Sequence, residues 1–315
     1  MSADPSAHNG PFSVLLSKGE LRDPARGHRL VPYKIYYPAE TPSNLIPVIF
    51  WSHGFGGNRD GAAFISRYLA SYGYAVVHVT HIGTDSTLWE GKAGHPWDIL
   101  KQTKVPRETT LARFGDIPFM LDQLPTLDLP VLPHLDFSSL GISGHSFGAM
   151  TTQVLAGQHF PDETGVLSSF RDPRFKAGIL YSPVPVRHLV EDQVTDSQLY
   201  GPIALPLLYM TGTQDDSPIE PFDYTHRMAV HEYSNHPDKY LQILQDGDHM
   251  IYNGTRGKLG VNPNRERHET LIKVTARAFW DAFLKNDTTA KKWLDNGGAQ
   301  AYMGQDGQFK TTQRD

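Results

Sequence analysis

The chain of 315 residues contains no cysteine. This absence excludes disulfide bonds, thiolate metal sites and a cysteine nucleophile, and it leaves the redox compartment open. No apolar run is long enough to cross a bilayer, and residues 1–12 lack the basic start and apolar core of a signal peptide. We therefore expect a protein without a membrane span, cytoplasmic by default, or secreted if a signal sequence has been removed ahead of residue 1.

Neither sign of charge is in large excess. The formal net charge is −5 and the basic residues are scattered, so no nucleic-acid partner is predicted. Hydrophobic residues make up 39% of the chain and aromatic residues 11%, which is enough for a full core. We expect one domain over residues 12–290, with polar and poorly ordered termini at 1–11 and 293–315. A small-molecule substrate is the favoured partner, and the oligomeric state stays open.

Short β-type segments alternate with helical patterns from about residue 47 onward. This alternation is typical of an α/β fold with a mostly parallel sheet flanked by helices. Segments 12–16 and 31–37 predict an antiparallel lead-in at the sheet edge. The later strands are predicted at 47–52, 74–80, 138–143, 176–181, 205–211 and 239–244. Helices are predicted at 64–72, 111–124 and 266–284, with a kink at Pro118.

Residues 82–105 form a long segment without clear periodicity. The segment carries Trp89, His95 and Trp97 between a strand and the next helix. Long irregular segments are often functional, so this one either walls a substrate site or covers the edge of the sheet. We expect Trp89 and Trp97 to line a substrate pocket, and no large cap domain is predicted.

The most informative motif is Gly-His-Ser-Phe-Gly at 144–148. It follows an apolar segment and precedes a helix-forming one, which is the context of a G-x-S-x-G nucleophile elbow. In an elbow the serine has a strained backbone that small neighbours permit, and Gly144 and Gly148 meet that requirement. Ser146 is therefore the predicted nucleophile, with His145 and Tyr181 predicted near it in the pocket.

A second motif, Ser-His-Gly-Phe-Gly-Gly at 52–57, follows the apolar strand 47–51. A His-Gly-x-Gly turn at this position supplies one half of an oxyanion hole, and the residue after the nucleophile supplies the other. The predicted donors are the main-chain N–H groups of Phe55 and Phe147. Their side chains are then free to form apolar walls.

The predicted base and acid follow later strands. His249 lies in a glycine-containing loop after strand 239–244, and Asp215 lies three residues after Gly212. Asp216 is the alternative acid, because neighbours in an extended segment point in opposite directions and one of the two faces the histidine. The order Ser146, Asp215, His249 is that of an α/β-hydrolase.

Such a triad requires neither metal nor organic cofactor, and none is predicted. Asp246, Asp248 and His249 could in principle ligate a metal ion. A trio confined to one loop is more often turn chemistry, so no metal site is predicted there.

At this point the chain resembles the bacterial α/β-hydrolases known as predicted dienelactone hydrolases, over roughly residues 20–285. These enzymes are relatives of platelet-activating-factor acetylhydrolase and, more distantly, of cutinase-like polyester hydrolases. The motifs that carry the resemblance lie at 23–26, 35–38, 51–57, 144–148, 210–218 and 246–250. The resemblance implies an α/β-hydrolase fold and a serine esterase with a triad and a main-chain oxyanion hole.

The chain departs from this pattern at two places. Dienelactone hydrolases in the strict sense have a cysteine at the elbow, where this chain has Ser146. The platelet-activating-factor enzymes place their acid after the preceding strand, where residues 181–183 contain no carboxylate. We therefore expect a carboxylic-ester hydrolase for short or medium acyl groups. The alternatives are a polyester or phospholipid-type acyl hydrolase, an amidase or acyltransferase, and an inactive hydrolase fold that binds ligands.

Overall fold

The computed structural model describes residues 6–40, 42–254 and 262–312. The strands are β1 (Val14–Asp23), β2 (Arg29–Pro38), β3 (Ile46–Ser52), β4 (Ala75–Val79), β5 (Leu135–His145), β6 (His159–Pro161), β7 (Leu167–Ser169), β8 (Phe175–Tyr181), β9 (Leu207–Gln214), β10 (Lys239–Asp248) and β11 (Gly307–Thr311). The helices are α1 (Ala63–Ser71), α2 (Pro96–Gln102), α3 (Arg107–Gln123), α4 (Phe147–Leu155), α5 (Asp196–Tyr200), α6 (Tyr224–Arg227), α7 (Ala229–Tyr233), α8 (Arg265–Leu284), α9 (Thr288–Asp295) and α10 (Gly298–Met303).

Nine of the strands form one sheet in the order β1-β2-β4-β3-β5-β8-β9-β10-β11. From β4 to β10 in this order, each strand is parallel to the next. The edges are antiparallel, since β2 pairs with β1 and β4 on one side and β11 pairs with β10 on the other. The mostly parallel α/β fold and the antiparallel lead-in are thus confirmed. Strands β6 and β7 form a separate hairpin.

Both faces of the sheet are buried, as strand β3 illustrates. Side chains alternate between the two faces of a strand. Val48 and Phe50 accordingly pack in one core with helices α3 and α4, whereas Ile49 and Trp51 pack in a second core with α1 and α8. Burial on both faces explains why the sequence of β3 is almost continuously apolar.

The predicted helix at 111–124 is observed as α3, which begins earlier and contains Pro118. The proline does not divide the element. Ile117, Met120 and Leu121 are buried and hold the helix against the sheet. Packing of this face therefore outweighs the local cost of the proline.

The carboxyl-terminal region differs from the prediction. Residues 293–312, expected to be poorly ordered, contribute to helices α9 and α10 and to strand β11 at the sheet edge. Leu294 and Met303 are buried in the second core, and Phe309 stacks on Tyr240. A few apolar side chains at suitable spacing thus order a segment whose composition is polar. Residues 313–315 lie outside the described part of the chain.

Within the described ranges, no helix has both the length and the apolar character needed to cross a membrane.

Candidate active site

Ser146 lies in a sharp turn between strand β5 and helix α4. Its backbone has φ 55° and ψ −118°, a combination that residues other than glycine rarely adopt. A Cβ atom on Gly148 would lie 1.9 Å from the carbonyl oxygen of Ser52, and one on Gly144 would lie 2.3 Å from the carbonyl oxygen of Gly148. Both flanking glycines are therefore required by close backbone approach, as the motif predicts.

The structure brings Ser146, His249 and Asp215 together, although they are far apart in the chain. The Ser146 hydroxyl lies 3.1 Å from Nε2 of His249, and Nδ1 of His249 lies 2.7 Å from Oδ1 of Asp215. The three residues follow strands β5, β10 and β9 directly. The carboxyl ends of parallel strands meet at one edge of a sheet, where ligands bind in open α/β folds.

The two candidate acids have different environments. Asp215 is fully buried and faces His249, whereas Asp216 is exposed. The hydroxyl of Thr211 donates to Oδ2 of Asp215 at 2.9 Å, so each carboxylate oxygen has a polar partner. Asp215 is thus the acid that orients the histidine in this structure.

Arg227 is a buried cation behind the triad. It donates to the main-chain carbonyls of Asp215 at 2.8 Å and of Pro183 at 2.9 Å. Its Nε also lies 3.2 Å from Oδ1 of Asp215, and its guanidinium stacks on Phe222. The cation therefore holds the loop that carries the acid and stabilises the negative charge of the acid.

The electrostatics of the three residues favour a neutral histidine beside an ionised aspartate. Burial lowers the pKa of His249 below its ordinary value, although Asp215 opposes the shift. Burial acts to raise the pKa of Asp215, but the charge of Arg227 and the hydrogen bond from His249 outweigh it, so this pKa is lowered. Near neutral pH His249 is thus ready to accept a proton.

His145 supports the loop of His249. Its Nε2 donates to the main-chain carbonyl of His249 at 2.8 Å, and the two rings are 4.7 Å apart. Burial lowers the pKa of His145 to about 3, so its ring stays neutral. His145 therefore holds the loop of His249, and it also lines a cavity at Ser146.

Phe55 and Phe147, which carry the two predicted donors, line the same cavity as Ser146. Phe147 follows Ser146 at the start of helix α4, and a Cβ atom on Gly54 would lie 3.4 Å from Cβ of Ser146. Within the described residues, neither N–H donates to a protein acceptor. Both N–H groups are thus free to donate to a bound molecule.

Two cavities meet at Ser146. The first, which we call the aromatic cavity, has a volume of about 470 Å³ and is lined by Trp89, Trp97, Leu100, Met250 and His145 among others. The second, which we call the aliphatic cavity, has a volume of about 310 Å³ and is lined by Phe147, Met150, Val184, Leu189 and Thr110 among others. Phe55, Leu100 and Ile219 line both. Residues 82–105 therefore form a wall of the site, and helix α2 lies within them.

The predicted pocket residue Tyr181 does not line either cavity. Its side chain is buried in the second core, with its ring 5.1 Å from Trp51 and 5.8 Å from Tyr252. The residue instead acts through its backbone, because its carbonyl accepts the N–H of Ser146 at 2.9 Å. The prediction for this side chain was wrong because residues alternate along β8 and this one faces the core.

No sequence pattern marked Arg227, Thr211 or Ile219 as residues of the site. Arg227 lies in a four-residue helix after the Asp215 loop, with no periodic pattern to draw attention to it. Thr211 was assigned only to a strand. Its distance of four residues from Asp215 is the one signal that could have suggested a hydrogen bond between the two side chains.

Asp246 and Asp248 take part in loop hydrogen bonds. Asp248 accepts from the main-chain N–H of Met250 and from the side chain of Asn262. The described part of the chain contains no group of three or more acidic, histidine or cysteine side chains placed to hold a metal ion.

Comparison with protein-family models and with curated proteins finds no match to this chain. The functional assignment therefore depends on the geometry of the site.

Proposed function

We propose that the chain is a serine hydrolase with an α/β-hydrolase fold that cleaves carboxylic esters of short or medium acyl chains. The observation that carries the proposal is the hydrogen-bonded series from the Ser146 hydroxyl through His249 to Asp215. A strained serine that faces a cavity, with a neutral histidine and a buried acid behind it, fits an activated nucleophile.

The positions of the two predicted oxyanion donors support the same proposal. In α/β-hydrolases one donor follows the nucleophile and the other comes from the loop between the third strand and the first helix. Phe147 follows Ser146, and Phe55 lies in the loop between β3 and α1. Both N–H groups lack a protein acceptor among the described residues.

The proposed chemistry has two halves. In the first, Ser146 Oγ bonds to the ester carbonyl carbon as His249 takes the hydroxyl proton, and the two N–H groups stabilise the oxyanion. The carbon–oxygen bond to the alcohol then breaks, and His249 gives its proton to the leaving alcohol. In the second, His249 takes a proton from water, whose oxygen bonds to the acyl carbon. The bond from that carbon to Ser146 Oγ then breaks, and His249 returns the proton to Oγ as the acid leaves.

The cavities support an ester with apolar groups of moderate size. The aromatic and aliphatic cavities both fall within the size range of small-molecule sites, and the surface of the aromatic cavity is mostly apolar. Because the two cavities meet at Ser146, the acyl part of an ester can occupy one cavity and its alcohol part the other.

The test is hydrolysis of p-nitrophenyl esters from acetate to long acyl chains by the wild type and by Ser146→Ala. We expect kcat/KM of the variant to fall by about 10⁴- to 10⁶-fold, because the nucleophile is lost. Ser143→Ala is the matched control. Ser143 lies three residues before Ser146 in strand β5, and its buried hydroxyl donates to the Phe50 carbonyl. A folded wild type inert on every ester, or a fully active Ser146→Ala, would contradict the proposal. A parallel p-nitroanilide series separates an esterase from an amidase.

A further inference from the structure

A second series of serine, histidine and aspartate side chains lies behind the oxyanion donors. The Ser52 hydroxyl lies 2.9 Å from Nε2 of His81, and Nδ1 of His81 lies 3.0 Å from Oδ2 of Asp116. All three residues are 0% exposed. No substrate can reach this serine, so the series does not constitute a second catalytic centre.

Arg113 of helix α3 joins this series to the neighbouring loops. Its Nε donates to the Thr151 hydroxyl at 2.9 Å and its Nη1 to the Thr84 hydroxyl at 2.7 Å. Its Nη2 donates to the Ser52 hydroxyl at 3.0 Å and also to the main-chain carbonyl of His53. All three guanidinium nitrogens are thus engaged, and the side chain is fully buried.

The partners of Arg113 belong to both halves of the oxyanion hole. The carbonyl of His53 lies at the start of the turn that presents the Phe55 N–H. On the other side, the guanidinium carbon lies 4.4 Å from the centre of the Phe147 ring. Thr151, which accepts from Arg113, donates to the Phe147 carbonyl at 3.2 Å. One side chain therefore contacts both donor-bearing segments.

The hydrogen bonds of the series have one consistent direction. Since the Asp116 carboxylate only accepts, Nδ1–H of the neutral His81 ring donates to it, and Nε2 of His81 therefore accepts from the Ser52 hydroxyl. Arg26 and Arg29 also donate to the Asp116 carboxylate, at 2.9 Å and 2.7 Å. Burial lowers the pKa of His81 well below its ordinary value, which keeps the ring neutral and the direction fixed.

We propose that Arg113, held by Ser52, His81 and Asp116, is the positioning residue that sets the Phe55 and Phe147 N–H groups at the spacing an oxyanion requires. The proposal rests on the proposed hydrolase function. A rigid network is suited to this role. Donors that are already fixed in place need no reorganisation when the negative charge develops in the transition state.

The test compares Arg113→Met with the wild type on the best p-nitrophenyl ester, with active sites counted by titration with a fluorophosphonate. We expect kcat per active site to fall about 10- to 100-fold with KM nearly unchanged, somewhat less than for deletion of a donor. The affinity for an alkyl trifluoromethyl ketone, which binds as an oxyanion, should fall by the same factor. Arg113→Lys, which keeps the charge but fewer donors, should lie between the two.

Arg277→Met is the matched control. Arg277 on helix α8 stacks on Tyr72 at 4.1 Å and pairs with Asp281, far from the site. A purely structural effect would lower the melting temperature and the number of titrated sites in both variants, with kcat per site intact.

Two results would overturn the proposal. If Ser146→Ala is inactive but Arg113→Met retains kcat per site and ketone affinity within about twofold of the wild type, the positioning role fails and the hydrolase function stands. If the wild type hydrolyses no ester and reacts with no fluorophosphonate, both proposals fail. Should Arg113→Met not fold, Arg113→Lys and Ser52→Ala are judged by the same criteria.

Discussion

Asp215 and Asp216 are chemically identical neighbours with different environments. Asp215 is buried and contacts His249, Thr211 and Arg227, whereas Asp216 is exposed to solvent. The main-chain N–H of Asp215 donates to the carbonyl of Gly212, and this turn directs the first carboxylate inward. The strand-and-loop pattern predicted an acid in this loop and favoured Asp215. The turn and the position of His249, which decide between the two, involve contacts across 34 residues.

Asp215→Asn should lower kcat/KM by about 10⁴-fold while the protein stays folded. The amide keeps the shape of the carboxylate, but it neither stabilises the imidazolium nor selects the tautomer with a proton on Nδ1. The measurement is steady-state hydrolysis of the best p-nitrophenyl ester, with circular dichroism to check the fold.

Asp216→Asn is the control for that experiment. It makes the same chemical change one residue away on an exposed side chain, so kcat/KM should stay within about twofold of the wild type. Equal losses in both variants would show that the loop as a whole, and not the Asp215 carboxylate, is sensitive to the change.

Helix α2 is the element that shapes the site most directly. It is seven residues long, and Pro96 at its start fits the first turn of a helix. The periodicity of residues 82–105 did not predict it, because two turns are too short for a clear pattern. Leu100 of this helix is buried, lines both cavities and lies against the turn at Gly56. The element therefore separates the two cavities next to Ser146.

Leu100→Ala should change the acyl-chain preference. Removing this side chain enlarges both cavities near Ser146, so kcat/KM for longer acyl chains should rise relative to that for acetate. We also expect a loss of about 2–5 kcal/mol in the free energy of unfolding, because a buried leucine is lost. The measurements are the p-nitrophenyl ester series and urea unfolding.

Leu294→Ala is the matched variant on helix α9. Leu294 is equally well buried but packs in the second core, on the face of the sheet with α1 and α8. Its replacement should cost a similar free energy of unfolding and leave the chain-length profile unchanged. A profile that shifts equally in both variants would mean that general loosening, and not the position of α2, controls the preference.

Across the whole molecule, several histidines are buried in the neutral form. His78 stacks on Trp51, with ring centres 5.7 Å apart, and its Nε2 lies 2.7 Å from the Ser66 hydroxyl. Burial lowers the pKa values of His78 and of His145 to about 3 each. Below the ordinary histidine pKa of about 6.5, the unfolded chain binds protons that the folded protein does not. The free energy of unfolding should therefore fall as the pH is lowered from 7.

His78→Gln tests this linkage. A buried histidine with a pKa of about 3, such as His78, should lower the free energy of unfolding by about 2 kcal/mol as the pH falls from 7 to 5. The variant should lose that share of the pH dependence. The measurement is urea unfolding at both pH values. His8→Gln, at an exposed site, should leave the difference unchanged. If the free energy of unfolding of His78→Gln fell between pH 7 and pH 5 by as much as that of the wild type, His78 would not contribute to the acid sensitivity.

The elbow at Ser146, the alternation of strands and helices and the chain order of the three site residues are all visible in the sequence. Each is a local pattern, because a strand, a tight glycine turn and a helix are specified within a few residues. The choice of Asp215, the buried cations Arg113 and Arg227, the inward face of Tyr181 and the ordering of residues 293–312 depend on contacts between distant segments. Arg113 and Asp116 do lie on the buried face of helix α3, where charged residues are rare. Whether such a residue contacts a cofactor, a substrate or only other side chains depends on which strands meet at that edge of the sheet, and only packing in three dimensions sets that.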